Sequence, residues 1–213
     1  MVEAFNLILP GKTVFGAGKA KMIPSLLEPF GNRVLIITGA QSFLNSEHWD
    51  RLSLHLQDAH VRWYQATVNR EPSPSMIDDI VRNNRGRDID VVLAIGGGSV
   101  LDAGKAVSAM LKLDGTVRDY LEGVGVRHPN GVRLPYMAVP TTSGTGSEAT
   151  KNAVISEVGR DGFKRSLRHD RYVPDVAVVD PELTLSCPGD ITASCGMDAF
   201  TQLLESYLST NAS

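Results

Sequence analysis

The sequence has 213 residues, of which 42% are hydrophobic and 21% charged, a composition typical of globular proteins and unlike that of a disordered chain. There are 21 basic and 24 acidic residues, and no cluster of Lys and Arg alternates with aromatic residues as in nucleic-acid-binding surfaces. No apolar run approaches the roughly 20 residues of a membrane span, and the first residues lack the pattern of a signal peptide. We therefore expect a cytoplasmic protein that binds neither nucleic acid nor a membrane.

The opening of the chain predicts the edge of a sheet followed by a helix. Residues 5–15 alternate loosely in hydrophobicity around Pro10 and Gly11, which favours a hairpin or a pair of edge strands. A helix is predicted to follow and to end near Gly31. The glycines in residues 15–18 predict a structural turn, since a single G-x-G is a weak nucleotide-binding signal.

Two strand–helix units come next. Residues 33–38 predict a buried strand and residues 42–57 a helix; residues 61–68 and 75–84 repeat this pattern. Strands that alternate with helices predict a parallel sheet with right-handed crossovers. Ligands of such sheets bind beyond the carboxyl ends of the strands.

Residues 90–107 join a buried strand to a helix through three glycines. The unbroken apolar run over 91–95 is typical of a parallel strand covered on both faces, and the glycines at 96–98 permit a tight turn. Ser99 and Asp102 have the S-x-x-D form of a capping box, which predicts that a helix begins here with its free N–H groups towards the glycines. This arrangement suits a phosphate or a pyrophosphate.

A second loop of this kind follows the next strand. Residues 112–133 predict a connection with one helical turn near 117–121, and residues 134–139 predict a strand. The strand runs into PTTSGTGS, residues 140–147, whose hydroxyl and N–H groups can hold phosphate oxygens. A mobile linker is the alternative interpretation, but linkers join domains and this loop directly follows a buried strand.

The pattern changes towards the end of the sequence. Residues 152–156 and 173–180 predict further strands, and prolines then interrupt the chain before a helical pattern over 191–209. We place a domain boundary near residue 186. The last helix is expected to bury a stripe made of Met197, Phe200, Leu204 and Tyr207 or Leu208. Cys187 and Cys195 form no CxxC pair and are expected to be small buried hydrophobes.

Five stretches carry a family resemblance: TVFGAGKAKMIPSLL, AIGGGSVLDAGKAV, MAVPTTSGTGSEAT, VPDVAVVDPELTLSCP and TASCGMDAFTQLLESYLS. In this order they resemble the iron-containing (group III) alcohol dehydrogenases. The resemblance implies an α/β fold, with a Rossmann-like parallel sheet flanked by helices over residues 1–186. Residues 187–213 would be the beginning of an all-helical metal-binding domain, truncated at the end of the sequence.

The resemblance also implies which residues bind a nicotinamide dinucleotide. Gly97, Gly98 and Ser99 would hold the pyrophosphate, and Asp102 would lie beside the nicotinamide ribose. The other positions that match cofactor-lining residues of the family are Thr141, Thr142, Thr145, Asn152, Lys164 and Leu183.

The nucleotide preference depends on the segment Gly39-Ala40-Gln41-Ser42. NAD-preferring relatives commonly carry an aspartate here that binds the ribose 2′-hydroxyl and repels a 2′-phosphate. This segment has no carboxylate, and it has no Arg or Lys to bind the phosphate. It therefore favours NADP while leaving NAD open, with Gly39 among the cofactor-binding residues.

Asp198 matches the aspartate that binds a divalent metal, Fe²⁺ or Zn²⁺, in the family. The family pattern D-A-x-x-H places a histidine four residues on, where this sequence has Gln202, a poorer ligand. The two other metal histidines of the family lie farther along in the helical domain. The 213 residues are therefore expected not to complete the metal site by themselves.

The resemblance implies reversible hydride transfer between NAD(P) and a primary alcohol or aldehyde, with the metal polarising the substrate oxygen. A metal-independent reductase, whose hydrogen-bond donors stabilise that oxygen, is a second version. The alternative from another class is a non-catalytic or fragmentary nucleotide-binding module. A sugar-phosphate or cyclase enzyme with a dehydroquinate-synthase-like fold is less favoured, since its sites also depend on a helical domain. The expected partners are a small alcohol or aldehyde and, through the edge of the opening hairpin, a second copy of the chain.

Overall fold

The computed structural model describes residues 6–210, and a parallel sheet forms its centre. The strands of this sheet are β1 (Lys12–Phe15), β2 (Arg33–Gly39), β3 (Arg62–Val68), β4 (Val91–Gly96), β5 (Tyr136–Pro140) and β8 (Val176–Val179). Their spatial order is β1-β8-β5-β4-β2-β3, and every neighbouring pair is parallel. The predicted α/β class with a parallel sheet is confirmed.

Helices connect the strands and cover both faces of the sheet. They are α1 (Ile23–Leu27), α2 (Glu47–Asp58), α3 (Pro74–Asn84), α4 (Gly98–Met110) and α5 (Gly189–Leu208). The predicted turn of helix near 117–121 is a 3₁₀ turn, Val117–Tyr120, with a capping box between Thr116 and Asp119. No helix of the described part of the chain is long and apolar enough to span a bilayer.

The central strands are apolar because each of their faces packs against helices. In β2, Leu35 and Ile37 join the apolar cluster that includes residues of α3 and α4, whereas Val34 and Ile36 join the cluster on the α1 and α2 side. A strand enclosed in this way needs a continuous apolar run, which is why the sequence pattern identified it. Gly104 lets α4 lie close to the sheet, since a Cβ atom at this position would be 2.5 Å from the Ala94 Cβ.

The start of the chain differs from the predicted hairpin. β1 pairs in parallel with β8, and the Gly11 N–H donates to the Pro174 carbonyl. The segment therefore takes its hydrogen bonds from a strand about 160 residues away rather than from a neighbour across a turn. Residue 5, at the start of the predicted hairpin, lies outside the described residues. The predicted helix before Gly31 is confirmed, as two 3₁₀ turns on either side of α1.

The chain also forms a second, smaller sheet of two strands among the described residues. It consists of β6 (Asn152–Glu157) and β7 (Phe163–Arg168), paired antiparallel. The sequence pattern predicts β6 but not β7. The sequence of β7 is FKRSLR, and its three charged residues, largely solvent-exposed, conceal the alternation of a strand.

The last helix does not bury the stripe that its pattern predicted. No residue of α5 is buried, and Met197, Phe200, Leu204, Tyr207 and Leu208 are all exposed among the described residues. The helix touches the rest of the chain near Cys195, whose backbone packs against Gly144. Cys187 and Cys195 are free thiols of intermediate exposure, so the prediction of buried cysteines is also wrong.

Candidate functional site

A cleft of about 660 Å³ opens at the carboxyl ends of β3, β4 and β5. The segment after β3, the start of α4, the loop after β5, the strands β6 and β7, and α5 all contribute lining residues. Nine residues singled out from the sequence lie along it: Gly97, Gly98, Ser99, Asp102, Thr142, Thr145, Asn152, Lys164 and Asp198. Parallel sheets bind ligands at this end, and the cleft therefore agrees with the general rule.

The start of α4 is formed differently from the predicted capping box. Gly97 is the N-cap residue, and no side chain caps the helix. The Val100 and Leu101 N–H groups donate to the Gly97 carbonyl, so the helix begins before Ser99. Asp102 faces the loop after β5 instead of the helix end, and its carboxylate accepts hydrogen bonds from the Ser147 hydroxyl and the Val154 N–H. The first N–H groups of α4 therefore meet the cleft without a side-chain acceptor from the helix itself.

The glycines at the start of α4 serve close packing. None of Gly96, Gly97 and Gly98 has a positive φ. A Cβ atom at Gly98 would stand 2.7 Å from the Thr145 Cγ2, and one at Gly96 would stand 2.6 Å from the Val100 side chain. The loop after β5 therefore rests directly on the glycine turn, because the glycines have no side chains.

Charged residues stand on both sides of the cleft. Arg70 lines it directly after β3, and the Lys164 ammonium lies 3.2 Å from the Glu71 carboxylate. The Ser156 hydroxyl and Lys164 lower the pKa of Glu71. Desolvation by burial raises the pKa of Asp102, against the opposing effects of the Ser147 hydrogen bond and of the Lys105 charge.

Lys105 is a residue of this region that the sequence analysis did not single out. It is fully buried in α4, and its ammonium donates to the Ser147 carbonyl, the Thr150 hydroxyl and the Asn152 carbonyl. Its position three residues after Asp102, on the same helix face, was the signal available in the sequence. Arg70 was also missed, although the loop that carries it follows a strand of the sheet.

Three of the expected cofactor residues do not line this cleft. Gly39 ends β2, and Thr141 begins the loop after β5. Leu183 lines a smaller cavity of about 230 Å³ together with Phe43, His48, Arg51 and Ile95, among others. Ile95 stands two residues before Gly97, so the small cavity and the cleft both reach the carboxyl end of β4.

The residues expected to hold a metal interact with each other. The Gln202 amide donates to the Asp198 carboxylate at 3.0 Å and to the Gly144 carbonyl at 3.4 Å. Within residues 6–210, no group of three or more His, Cys, Asp and Glu side chains could hold a metal ion. One carboxylate and one amide do not make a metal site, so the described residues do not fit a complete iron or zinc centre.

A larger cavity of about 990 Å³ lies at the amino end of the sheet, beside the Arg33 and Asp90 ion pair. None of the residues that the sequence singled out for cofactor or metal binding lines it. We therefore assign the candidate site to the cleft at the carboxyl ends.

The parallel sheet, the glycine turn that leads into α4 and the cleft above it define a Rossmann-like α/β domain. Residues 10–181 match the family described as iron-containing alcohol dehydrogenase. The chain belongs to the iron-containing alcohol dehydrogenase family.

Individual relatives are similar over most of this chain. It is 32% identical over 209 residues to NADH-dependent butanol dehydrogenase A of Clostridium acetobutylicum, which covers 97% of this chain and 52% of that protein. The crystal structure of NADH-dependent butanol dehydrogenase A from Thermotoga maritima superimposes with a TM-score of 0.88 at 29% identity, over 97% of this chain and 51% of that one. The crystal structure of sulfoacetaldehyde reductase from Bifidobacterium kashiwanohense in complex with NAD⁺ superimposes with a TM-score of 0.85 at 32% identity, over 98% of this chain and 54% of that one. The chain thus spans about half the length of these relatives.

Proposed function

We propose that this chain forms the nucleotide-binding part of an NAD(P)-dependent alcohol dehydrogenase or aldehyde reductase. The reaction is hydride transfer between the nicotinamide and a primary alcohol or aldehyde. The observation that carries the proposal is the start of α4, which opens into the 660 Å³ cleft and has no side-chain cap. Membership of the family supports the same reaction.

The start of α4 supplies the phosphate-binding groups. N–H groups at the beginning of a helix have no intrahelical partners, and the helix dipole favours an anion there. In this proposal the Gly98 and Ser99 N–H groups bind the pyrophosphate, Thr142 and Thr145 enclose it, and Lys164 adds a positive charge. Asp102 fixes the wall beside the nicotinamide ribose, and Asn152 extends that wall.

The bound nicotinamide supplies the hydride-transfer chemistry, and the chain's own residues hold it in place. α5 brings Cys195 and Asp198 to the rim of the cleft, and this side is where we propose that the alcohol or aldehyde enters. Asp198 is the one acidic residue at this rim that we propose as a metal ligand, with Gln202 hydrogen-bonded to it. Because these residues do not complete a metal site, no step of the reaction is assigned to a metal here.

The adenosine end is assigned to the smaller cavity. Leu183 and Ile95 line it. Gly39 ends β2 and Thr141 follows β5, the two strands on either side of β4, which carries Ile95. Arg51 and His48 line this cavity together with the carboxylates of Asp180 and Glu182, and Arg51 is paired with Glu47. The absence of a carboxylate at 39–42 supports NADP over NAD.

We also propose a domain boundary near residue 186, supported by the exposure of α5, and a cytoplasmic location. A second copy of the chain is proposed as a partner, since β1 is an edge strand with the exposed Phe15 on it.

The test is a titration of the 213-residue chain with NADPH and with NADH, followed by an aldehyde-reduction assay. Saturable energy transfer from protein tryptophan to the bound NADPH or NADH is expected, and NADPH should bind more tightly. Absence of binding by both would overturn the proposal. Binding with turnover supports the full reaction, whereas binding without turnover restricts the chain to the nucleotide-binding role. A repeat with excess Zn²⁺ or Fe²⁺ shows whether turnover depends on a metal.

A further inference from the structure

Lys105 occupies the middle of α4, where its side chain is fully buried. All three donors of its ammonium are used: they bind the Ser147 carbonyl at 2.9 Å, the Thr150 hydroxyl at 3.2 Å and the Asn152 carbonyl at 2.8 Å. The three acceptors lie within six residues of each other, in the segment that joins the threonine-rich loop to β6. The Lys105 ammonium therefore holds the entire segment from residue 147 to residue 152.

Asp102 holds the same segment from the preceding turn of α4. Its carboxylate accepts from the Ser147 hydroxyl and, at 3.1 Å, from the Val154 N–H. Positions three residues apart lie on one helix face, so the two opposite charges act side by side. Together they attach residues 147–154 to the helix that begins at the glycine turn.

The segment held in this way is part of the cleft, while Lys105 is not. Ser147, Thr150, Asn152 and Val154 line the cleft, and the Lys105 side chain lies behind them. A buried lysine is expensive, and an apolar residue of similar shape would cost the core less. Packing alone therefore does not explain a charged residue at this position, whereas its bonds to the segment do.

We propose that Lys105 is a positioning residue for the dinucleotide: it holds residues 147–152 at the distance from the start of α4 that the bound cofactor requires. The proposal rests on the proposed function, because it names how that cleft is kept in shape. Lys105 touches neither the cofactor nor the substrate and acts through the segment it binds.

The protonation state of Lys105 makes this positioning depend on pH. Desolvation by burial lowers the pKa of Lys105 to about 8, despite the opposing charges of Asp102 on α4 and of Glu148 in the turn after the loop. The Tyr136 hydroxyl on β5 donates to the Leu101 carbonyl of α4, and burial raises the pKa of Tyr136 well above the ordinary value, so it stays neutral. A neutral amine has two donors for three acceptors. Dinucleotide affinity is therefore expected to fall as the pH rises through about 8.

The test compares Lys105→Met with Lys112→Met, which removes an exposed lysine just beyond the end of α4. The Kd of NADPH and of NADH is measured between about pH 6.5 and about pH 9.5. Below pH 8, Lys105→Met is expected to weaken dinucleotide binding about tenfold, because a hydrogen bond from a charged donor is lost. The variant should also lose the pH dependence of binding. Lys112→Met should follow the wild-type curve. A Lys105→Met variant with the wild-type Kd and pH profile would overturn the inference.

Amide hydrogen exchange of the free wild-type chain gives a readout that needs neither a cofactor nor a substitution. Release of the segment would expose Lys105 and return its pKa towards 10.5, so exchange over residues 147–154, corrected for the intrinsic rate, is expected to slow above about pH 8. Unchanged protection of the segment across this range would also overturn the inference. If Lys105→Met does not fold, this measurement on the wild type still tests the inference. Failure of the wild type to bind either dinucleotide overturns the proposed function instead, and the exchange result still stands by itself.

Discussion

The Thr145 side chain lies directly over the α-carbon of Gly98, so close that a Cβ atom at Gly98 would stand 2.7 Å from the threonine Cγ2. This contact joins the two loops that follow neighbouring strands, one after β4 and the other after β5. The absence of a side chain at Gly98 thus shapes the cleft twice: it leaves the helix N–H groups accessible, and it lets the threonine-rich loop close over them.

Gly98→Ala is expected to weaken dinucleotide binding and to lower the free energy of unfolding. Alanine favours a helix by roughly 1 kcal/mol over glycine, but displacing Thr145 costs about 1–3 kcal/mol, so the clash outweighs the gain. Urea unfolding and an NADPH titration measure the two effects. Gly189→Ala is the matched control, since no atom lies within 4 Å of a Cβ there. Equal behaviour of the two variants would contradict the prediction.

Gly39→Asp is expected to change the nucleotide preference. A carboxylate at the end of β2 would bind a ribose 2′-hydroxyl and repel a 2′-phosphate, so NADPH affinity should fall about tenfold or more while NADH affinity is kept or improved. The site has room, because only the Ser42 Oγ lies within 4 Å of a Cβ at Gly39, at 4.0 Å. Gly39→Ala fills the same space without charge. If the alanine variant loses NADPH as strongly as the aspartate variant, the electrostatic explanation is wrong.

Asp180→Ala is expected to destabilise the fold, and it also removes a carboxylate that lines the smaller cavity. The buried Asp180 carboxylate accepts from the N–H groups of Gly18, Ala20 and Glu182, and it thereby joins the end of β8 to the turn after β1. Loss of these bonds leaves three donors without their acceptor, and a decrease of about 3 kcal/mol in the free energy of unfolding is expected. Chemical denaturation measures it. Asp79→Ala, on the exposed side of α3, provides the comparison and should change stability by less than about 0.5 kcal/mol.

The free energy of unfolding should rise with pH on account of Lys105. Its pKa is about 8 in the folded chain against an ordinary value of 10.5. Between these two pH values the unfolded chain binds a proton that the folded chain does not. The resulting contribution of Lys105 to the free energy of unfolding is absent below about pH 8 and grows above it. From about pH 7.5 to about pH 9.5, the wild type should gain about 2 kcal/mol relative to Lys105→Met.

Denaturant titrations of both proteins at the two pH values provide the measurement. The sign separates this effect from the expected loss of dinucleotide affinity, since stability increases over the same range in which binding weakens. A difference between the two proteins that is independent of pH would show that the pKa of Lys105 is not lowered.

Local patterns identified most of the sheet because its strands are enclosed. The apolar run at 91–95 could belong only to a buried strand in this context, and β4 is that strand. Strand β7 was missed because the adjacent residues Lys164 and Arg165 point to opposite faces of the strand and are both exposed, which hides the alternation. Local spacing also misjudged α5, because the apolar spacing of Phe200 and Leu204 predicts a buried face without naming what buries it.

By itself, the sequence determined the parallel α/β class, the two loops at the carboxyl ends of the strands and the glycines that begin α4. These follow from hydrophobic periodicity and from the lack of a side chain, both of which act over a few residues. Only the tertiary structure decided what Asp102 and Lys105 do. Their partners lie more than 40 residues away along the chain, and helix position alone made Asp102 resemble a cap. Buried polar groups need hydrogen-bond partners, and the fold determines which groups come within reach. The spacing of residues along the sequence does not specify those partners.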